Sequence, residues 1–219
     1  MNLFYTSIFL IRTYTAVRLI KLLLQSRPEC KVLVTCQSNT AVDNLLEGLV
    51  KLEVKVIRVG APERAREELH NSTLDAWLER TPQYSQLANL SRCIEDLRSE
   101  GNSRVNGEQI RSLQKRLSGL QKEAVAAAFR KAEVVCGTNA SIGQSYMQEF
   151  SFPVHVMDEA TQSTQPSSLI SLIKGTKQLF LFGDHKQLAP TVLSDDPELA
   201  IPYFIKLLEH GVEPLMLYK

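Results

Sequence analysis

Five short apolar runs constrain this chain more than any other feature: VLVTC at 32–36, VKVIRV at 54–59, VVCGT at 134–138, VHVM at 154–157 and QLFLF at 178–182. Each is nearly continuous in apolar residues, and helical stretches lie between them. Strands of that kind, alternating with helices, build a parallel sheet covered on both faces. The expected strand ends fall near Cys36, Gly137, Met157 and Phe182. The residues just beyond those ends are polar: Ser38-Asn39, Thr138, Asp158-Glu159 and Asp184. In open α/β sheets the chemistry sits outside the carboxyl ends of the strands, so the acids fall where a site is expected.

Helical spacing marks Thr15 to Gln25, with Val17, Ile20, Leu23 and Leu24 on one side and Arg18 and Lys21 on the other. A second helix is expected over TAVDNLLEGLV (40–50), where Gly48 reads as a weak spot. Ahead of the first helix lies a short strand-like piece. Its apolar run ends at Arg12, lacks a basic leader and is too short to cross a bilayer, so no membrane association is expected. Between Pro62 and Lys131 charges become dense and β-branched residues scarce. Tyr84, Leu87, Leu90, Ile94 and Leu97 make one stripe there, and Ile110, Leu113, Leu117 and Leu120 another. A long antiparallel helix pair fits both. The expected division is a main α/β domain over 1–61 and 132–219, interrupted by a helical insertion over 62–131.

A chain of 219 residues is long enough for one sizeable core. Its net charge of +1 neither favours nor excludes a polyanionic partner, because patches rather than totals bind phosphates. Cys30, Cys36, Cys93 and Cys136 form no CxxC pair, which argues for reduced thiols in an intracellular protein and against a zinc site. The Lys and Arg residues of the insertion are interleaved with acids, so a solvated helix face is expected there rather than a nucleic-acid clamp.

Four stretches, VLVTCQSNTAVDNLL, EVVCGTNASIG, MDEATQSTQP and LFLFGDHKQLAP, together resemble the Upf-like group of superfamily-one helicases, in that group's order of motifs Ia, Ic, II and III. The resemblance covers nearly all of the chain from Thr13 onward. It implies a RecA-like motor domain that hydrolyses ATP with Mg²⁺ while moving 5′ to 3′ on single-stranded RNA or DNA, in the nucleus or cytoplasm. Carried over by position, Asp158 would hold Mg²⁺, Glu159 would be the catalytic base, and Gln187 would sense the γ-phosphate. Thr13 would take the Ser/Thr place at the end of the phosphate loop. Ser38, Asn39 and Thr138 would meet the nucleic-acid backbone, a task suited to short side chains that bond phosphate without reading sequence. Pro190 would lie near a base face or stiffen its loop.

One part of the pattern is missing. The family's GxxGxGK[ST] loop would fall immediately before YTAVRLIKLLL, where this chain reads TSIFLIRT, with Arg12 in place of Lys, Ile11 in place of Gly, and no glycine before Gly48. A phosphate cradle needs glycines so that successive N–H groups converge on the anion. Losing three or four charge-assisted hydrogen bonds, at roughly 1.5–3 kcal/mol each, removes on the order of 5–10 kcal/mol. Micromolar affinity is worth only about 8 kcal/mol. The resemblance also implies a second RecA-like domain beyond GVEPLMLYK. Two functions are thus expected to compete: a helicase ATPase domain inactive as this chain, and a non-catalytic nucleic-acid-binding or protein-interaction module on the same fold.

Overall fold

The computed structural model describes residues 2–5, 9–99, 104–184 and 189–216. In chain order its elements are β1 (Asn2–Tyr5), α1 (Phe9–Ser26), β2 (Val32–Cys36), α2 (Asn39–Lys51), β3 (Val56–Arg58), α3 (Leu74–Glu79), α4 (Tyr84–Ser99), α5 (Arg104–Lys131), β4 (Val134–Thr138), α6 (Asn139–Ile142), β5 (Val154–Met157), α7 (Gln165–Leu172), β6 (Gln178–Gly183), α8 (Tyr203–Glu209) and β7 (Pro214–Met216). The strands form one seven-stranded sheet in the order β3-β4-β2-β5-β6-β1-β7, and every pairing is parallel.

Period-two alternation splits the core into layers. Val32, Val34 and Cys36 of β2, Val154 and Val156 of β5, and Phe180 and Phe182 of β6 pack against α1 and α2. On the opposite face Leu33, Ile57 and Val135 meet Leu74 of α3 and Val125, Ala128 and Phe129 of α5. Leu179 and Leu181 meet Phe204 of α8 with Leu3 of β1. The stretch 62–131 is therefore not wholly outboard: α3 and the last turns of α5 cover part of the sheet, because Leu74, Val125 and Phe129 supply the apolar surface which that face needs. Farther out, α4 packs along α5 with only Leu87 and Ile94 of α4 buried.

Two local expectations change. The first helix starts at Phe9 rather than Thr15. Residues 9–14 contain neither glycine nor proline to stop it, and the Thr15 hydroxyl donates to the Ile11 carbonyl at 2.7 Å inside the extended helix. Gly48 is not simply a weak point of α2. A Cβ there would lie 2.8 Å from Val17 Cγ2, so the glycine is what allows α1 and α2 to pack this closely.

The strand ends lie level along one edge. Cys36 stands beside Thr138, Thr35 beside Met157, Met157 beside Leu181, and Tyr5 beside Gly183. The polar residues that follow them are therefore brought together by register alone.

Candidate nucleotide and nucleic-acid edge

Ser38 leaves β2 in extended conformation and caps α2, its Oγ accepting from the Ala41 N–H at 3.2 Å. The same hydroxyl donates to Glu159 Oε2 at 2.9 Å, and the Ser38 N–H donates to that oxygen at 3.1 Å. Two residues assigned to separate tasks, strand contact and water activation, are thus in direct contact. Glu159 holds this position with φ of 56°, a left-handed conformation that costs an L-residue of order 1–2 kcal/mol. Thr138 repeats the Ser38 arrangement on the neighbouring strand, its Oγ1 accepting from the Ser141 N–H at 3.2 Å to cap α6.

Asn39 is turned inward, its Oδ1 accepting from Arg58 Nη2 at 3.0 Å. Arg58 is itself buried and pairs with Asp43 of α2 at 2.8 Å. Asn139, beside Thr138, belongs to a buried polar cluster: its Nδ2 donates to Ser163 Oγ at 2.9 Å, and its Oδ1 accepts from Ser171 Oγ at 3.1 Å.

Asp158 is 1% exposed. Its Oδ1 accepts from the Glu159 N–H at 2.8 Å and lies 2.5 Å from Nε of Arg12, which is equally buried. Burial pushes the Asp158 carboxyl up to about 6, while the Arg12 guanidinium pulls it down, so it is ionised at neutral pH. This ion pair was not expected from the sequence. The only signal was a charged residue inside the apolar run SIFLIRT. Thr13, next along α1, lines the groove between α1 and α2 with Asn44 and Gly48, and its buried Oγ1 has no hydrogen-bond partner among the described residues.

Beyond β6, the Asp184 N–H donates to Thr161 Oγ1 at 3.3 Å. A Cβ on Gly183 would come within 2.7 Å of Thr161 Cγ2, so the chain can leave the strand this close to the Asp158 loop only with glycine at 183. Pro190 is buried, which suits a loop stiffener. Gln187 lies outside the described residues.

Phe9 to Thr13 begin α1, so the N–H groups of its first turn are those a helix leaves unpaired; Thr6 to Ile8, just ahead of it, lie outside the described residues. The Asp158 oxygen facing α1 already carries the Arg12 cation. With Arg12 against it, Asp158 does not offer that oxygen to Mg²⁺ in the family's manner. Among the described residues no group of three or more His, Cys, Asp or Glu is placed to hold a metal ion. No helix there is long and apolar enough to cross a membrane.

One buried polar pair under the edge gives a pH signature. His155 and Thr35, both 0% exposed, meet at 2.8 Å (Nε2 to Oγ1), and burial pushes the imidazole from 6.5 down to about 3. Between those values the unfolded chain binds the extra proton, so the His155 contribution to stability is lost as pH falls from about 6.5 toward 3. Asp158 acts with opposite sign between 3.8 and about 6, where the folded chain holds the extra proton. That term is common to wild type and a His155→Asn variant. The stability advantage of wild type over His155→Asn should therefore shrink with acidification, by up to about 1.4 kcal/mol per pH unit. Urea titrations of both proteins from neutral pH to pH 4.5 test this; a constant difference would show that His155 is not held neutral by burial.

A parallel sheet with acids at one strand tip and helix-capping hydroxyls at its neighbours is an open α/β fold with its polar site at the carboxyl ends of the strands. A family model described as an AAA domain matches residues 11–110 and 99–195. The chain is 31% identical to an uncharacterised ATP-dependent helicase of Methanocaldococcus jannaschii, over 82% of this chain and 33% of that protein. It is 34% identical to the mouse DNA-binding protein SMUBP-2, over 78% of this chain and 18% of that one. With the ATP-dependent helicase NAM7 of Saccharomyces cerevisiae it shares 32% identity, over 85% and 19% of the two chains. Among solved structures, T4 UvsW superposes with a TM-score of 0.44 at 12% identity, over 83% of this chain and 26% of that one. The chain belongs to the AAA-domain family of Upf1-like, superfamily-one helicase motor domains. It spans a third or less of the length of the relatives named here.

Proposed function

We propose that this chain is the first motor domain of a 5′-to-3′ helicase of the Upf-like group, that its strand-end edge holds single-stranded RNA or DNA, and that the chain itself does not turn over ATP. The observation that carries the proposal is the pairing of Ser38 and Thr138, each a helix cap just beyond neighbouring strands of the sheet, beside Glu159. Short hydroxyls in that arrangement suit a phosphate–sugar backbone and leave base sequence unread. In this reading residues 1–61 and 132–219 form the motor domain and 62–131 its helical insertion, and nucleotide turnover in the intact helicase needs a second RecA-like domain. The alternative, a non-catalytic nucleic-acid-binding module, is favoured by one observation: Arg12, at the place of the phosphate-loop lysine, is buried against Asp158.

The test uses the purified chain with fluorescently labelled oligo-U and oligo-dT. Binding should appear by anisotropy and weaken steeply with salt, and phosphate release from ATP should be no faster with the oligonucleotide than without it. Stimulated ATP turnover that disappears in Glu159→Gln would overturn the claim of inactivity. Failure of both oligonucleotides to bind at low salt would overturn the assignment of the edge.

A further inference from the structure

We propose that Arg12 replaces the divalent cation at the β5 tip: its guanidinium is the built-in counter-ion of Asp158, whose charge is balanced without metal or nucleotide. The inference concerns the same strand tip as the proposed motor chemistry and rests on that reading for the expectation that a cation belongs there.

Three observations carry it. Arg12 and Asp158 are both 1% exposed and lie 2.5 Å apart, so the carboxylate has a full positive charge against it inside the protein. A buried carboxylate needs such a partner, because an isolated charge cannot be held away from water at tolerable cost. Glu159, the other acid at the tip, is also engaged within the chain, by the Ser38 amide and hydroxyl. Of the Asp158 oxygens only Oδ2 is left without a hydrogen-bond partner among the described residues, and it is buried. Magnesium demands a near-octahedral set of oxygens, and a dication placed on Asp158 would be repelled by the adjacent guanidinium.

The position of Arg12 gives the exchange its logic. In the family pattern residue 12 is the lysine of the phosphate loop, whose charge faces bound phosphates. Here, in the first turns of α1, the cation at this position meets the strand-tip acid directly. One side chain thereby supplies the positive charge that nucleotide-bound metal would bring.

Manganese serves as the probe, titrated into the full chain and followed by electron paramagnetic resonance with no nucleotide or nucleic acid present. Wild type should leave the free Mn²⁺ signal unchanged up to millimolar metal, and Arg12→Lys, which keeps the charge, should do the same. Arg12→Ala should bind Mn²⁺ at least about tenfold more tightly than wild type, and adding Asp158→Asn to it should abolish the gain. If Arg12→Ala does not fold, wild type and Arg12→Lys still decide. Mn²⁺ bound by wild type and lost in Asp158→Asn overturns the proposal, as does a folded Arg12→Ala that binds no more metal than wild type. Because the assay contains no oligonucleotide or ATP, its outcome is independent of whether the edge binds nucleic acid.

Discussion

Replacing Arg58 by methionine should cost about 3–5 kcal/mol of folding stability, the loss expected when one partner of a buried ion pair is removed. Arg58 is 1% exposed and ties together three segments. Its Nε donates to Asp43 of α2 at 2.8 Å, and its Nη2 donates to the Asn39 side chain at 3.0 Å and the Arg64 carbonyl at 3.2 Å. Methionine would preserve the stem's packing but leave the Asp43 carboxylate buried, with the Arg66 amide at 3.1 Å and the half-exposed Arg66 guanidinium at 3.9 Å as its remaining partners. It would also release Asn39, one residue past the Ser38 cap. Arg58→Met with Asp43→Leu should recover most of the loss, because the cost comes from the stranded charge rather than from the missing bonds. Equilibrium urea denaturation of the single and double variants measures both. A single-variant loss below about 1 kcal/mol, the scale of a surface pair, would show that Arg58 is not the buried tie described.

The second large effect is expected at Phe182, where Phe182→Ala should cost about 3–5 kcal/mol as a core cavity opens. Phe182 is fully buried in β6 on the face covered by α1 and α2, and its ring stacks on Phe4 of β1 with centroids 4.6 Å apart and planes at 11°. The surrounding strands are hydrogen-bonded on both sides of β6 and cannot collapse into the space. Phe182→Leu keeps most of the volume and should cost under about 1.5 kcal/mol. The contrast between the two variants, read from thermal or urea unfolding, is the test. Equal losses would mean that stacking on Phe4, rather than filled volume, supports this position.

Much of this architecture is legible in the sequence because its signals are local. VLVTC, VVCGT, VHVM and QLFLF announce buried strands by composition. Ser38 and Thr138 announce caps by following a strand end and preceding a helix, and Asp158-Glu159 stands out as charge at the end of an apolar run. What could not be read depends on side chains distant in sequence. Nothing beside Arg12 names Asp158 as its partner, and nothing beside Ser38 names Glu159; both pairings follow from strand order, which local patterns do not contain. The arginine inside VKVIRV was a visible anomaly, yet its partner Asp43 sits on a helix face where a solvated acid is the usual reading. The start of α1 was missed for a related reason. The resemblance sets a loop over the residues before Thr13, whereas the residues themselves favour helix.

The helix pair gives the molecule two grades of cohesion. α5 has 28 residues and so runs for about 42 Å, but only its final turns, from Ala124 to Phe129, are anchored in the core. Outward from there Ile110, Leu113, Leu117 and Leu120 are half-buried against α4. A pair of helices held by so narrow a seam breathes at far lower free energy than the sheet beneath it. The outer hairpin can therefore unzip and re-form as a small cooperative unit while the strand-end edge stays intact, so wear and local melting fall on a projecting arm rather than on the edge where the polar residues converge.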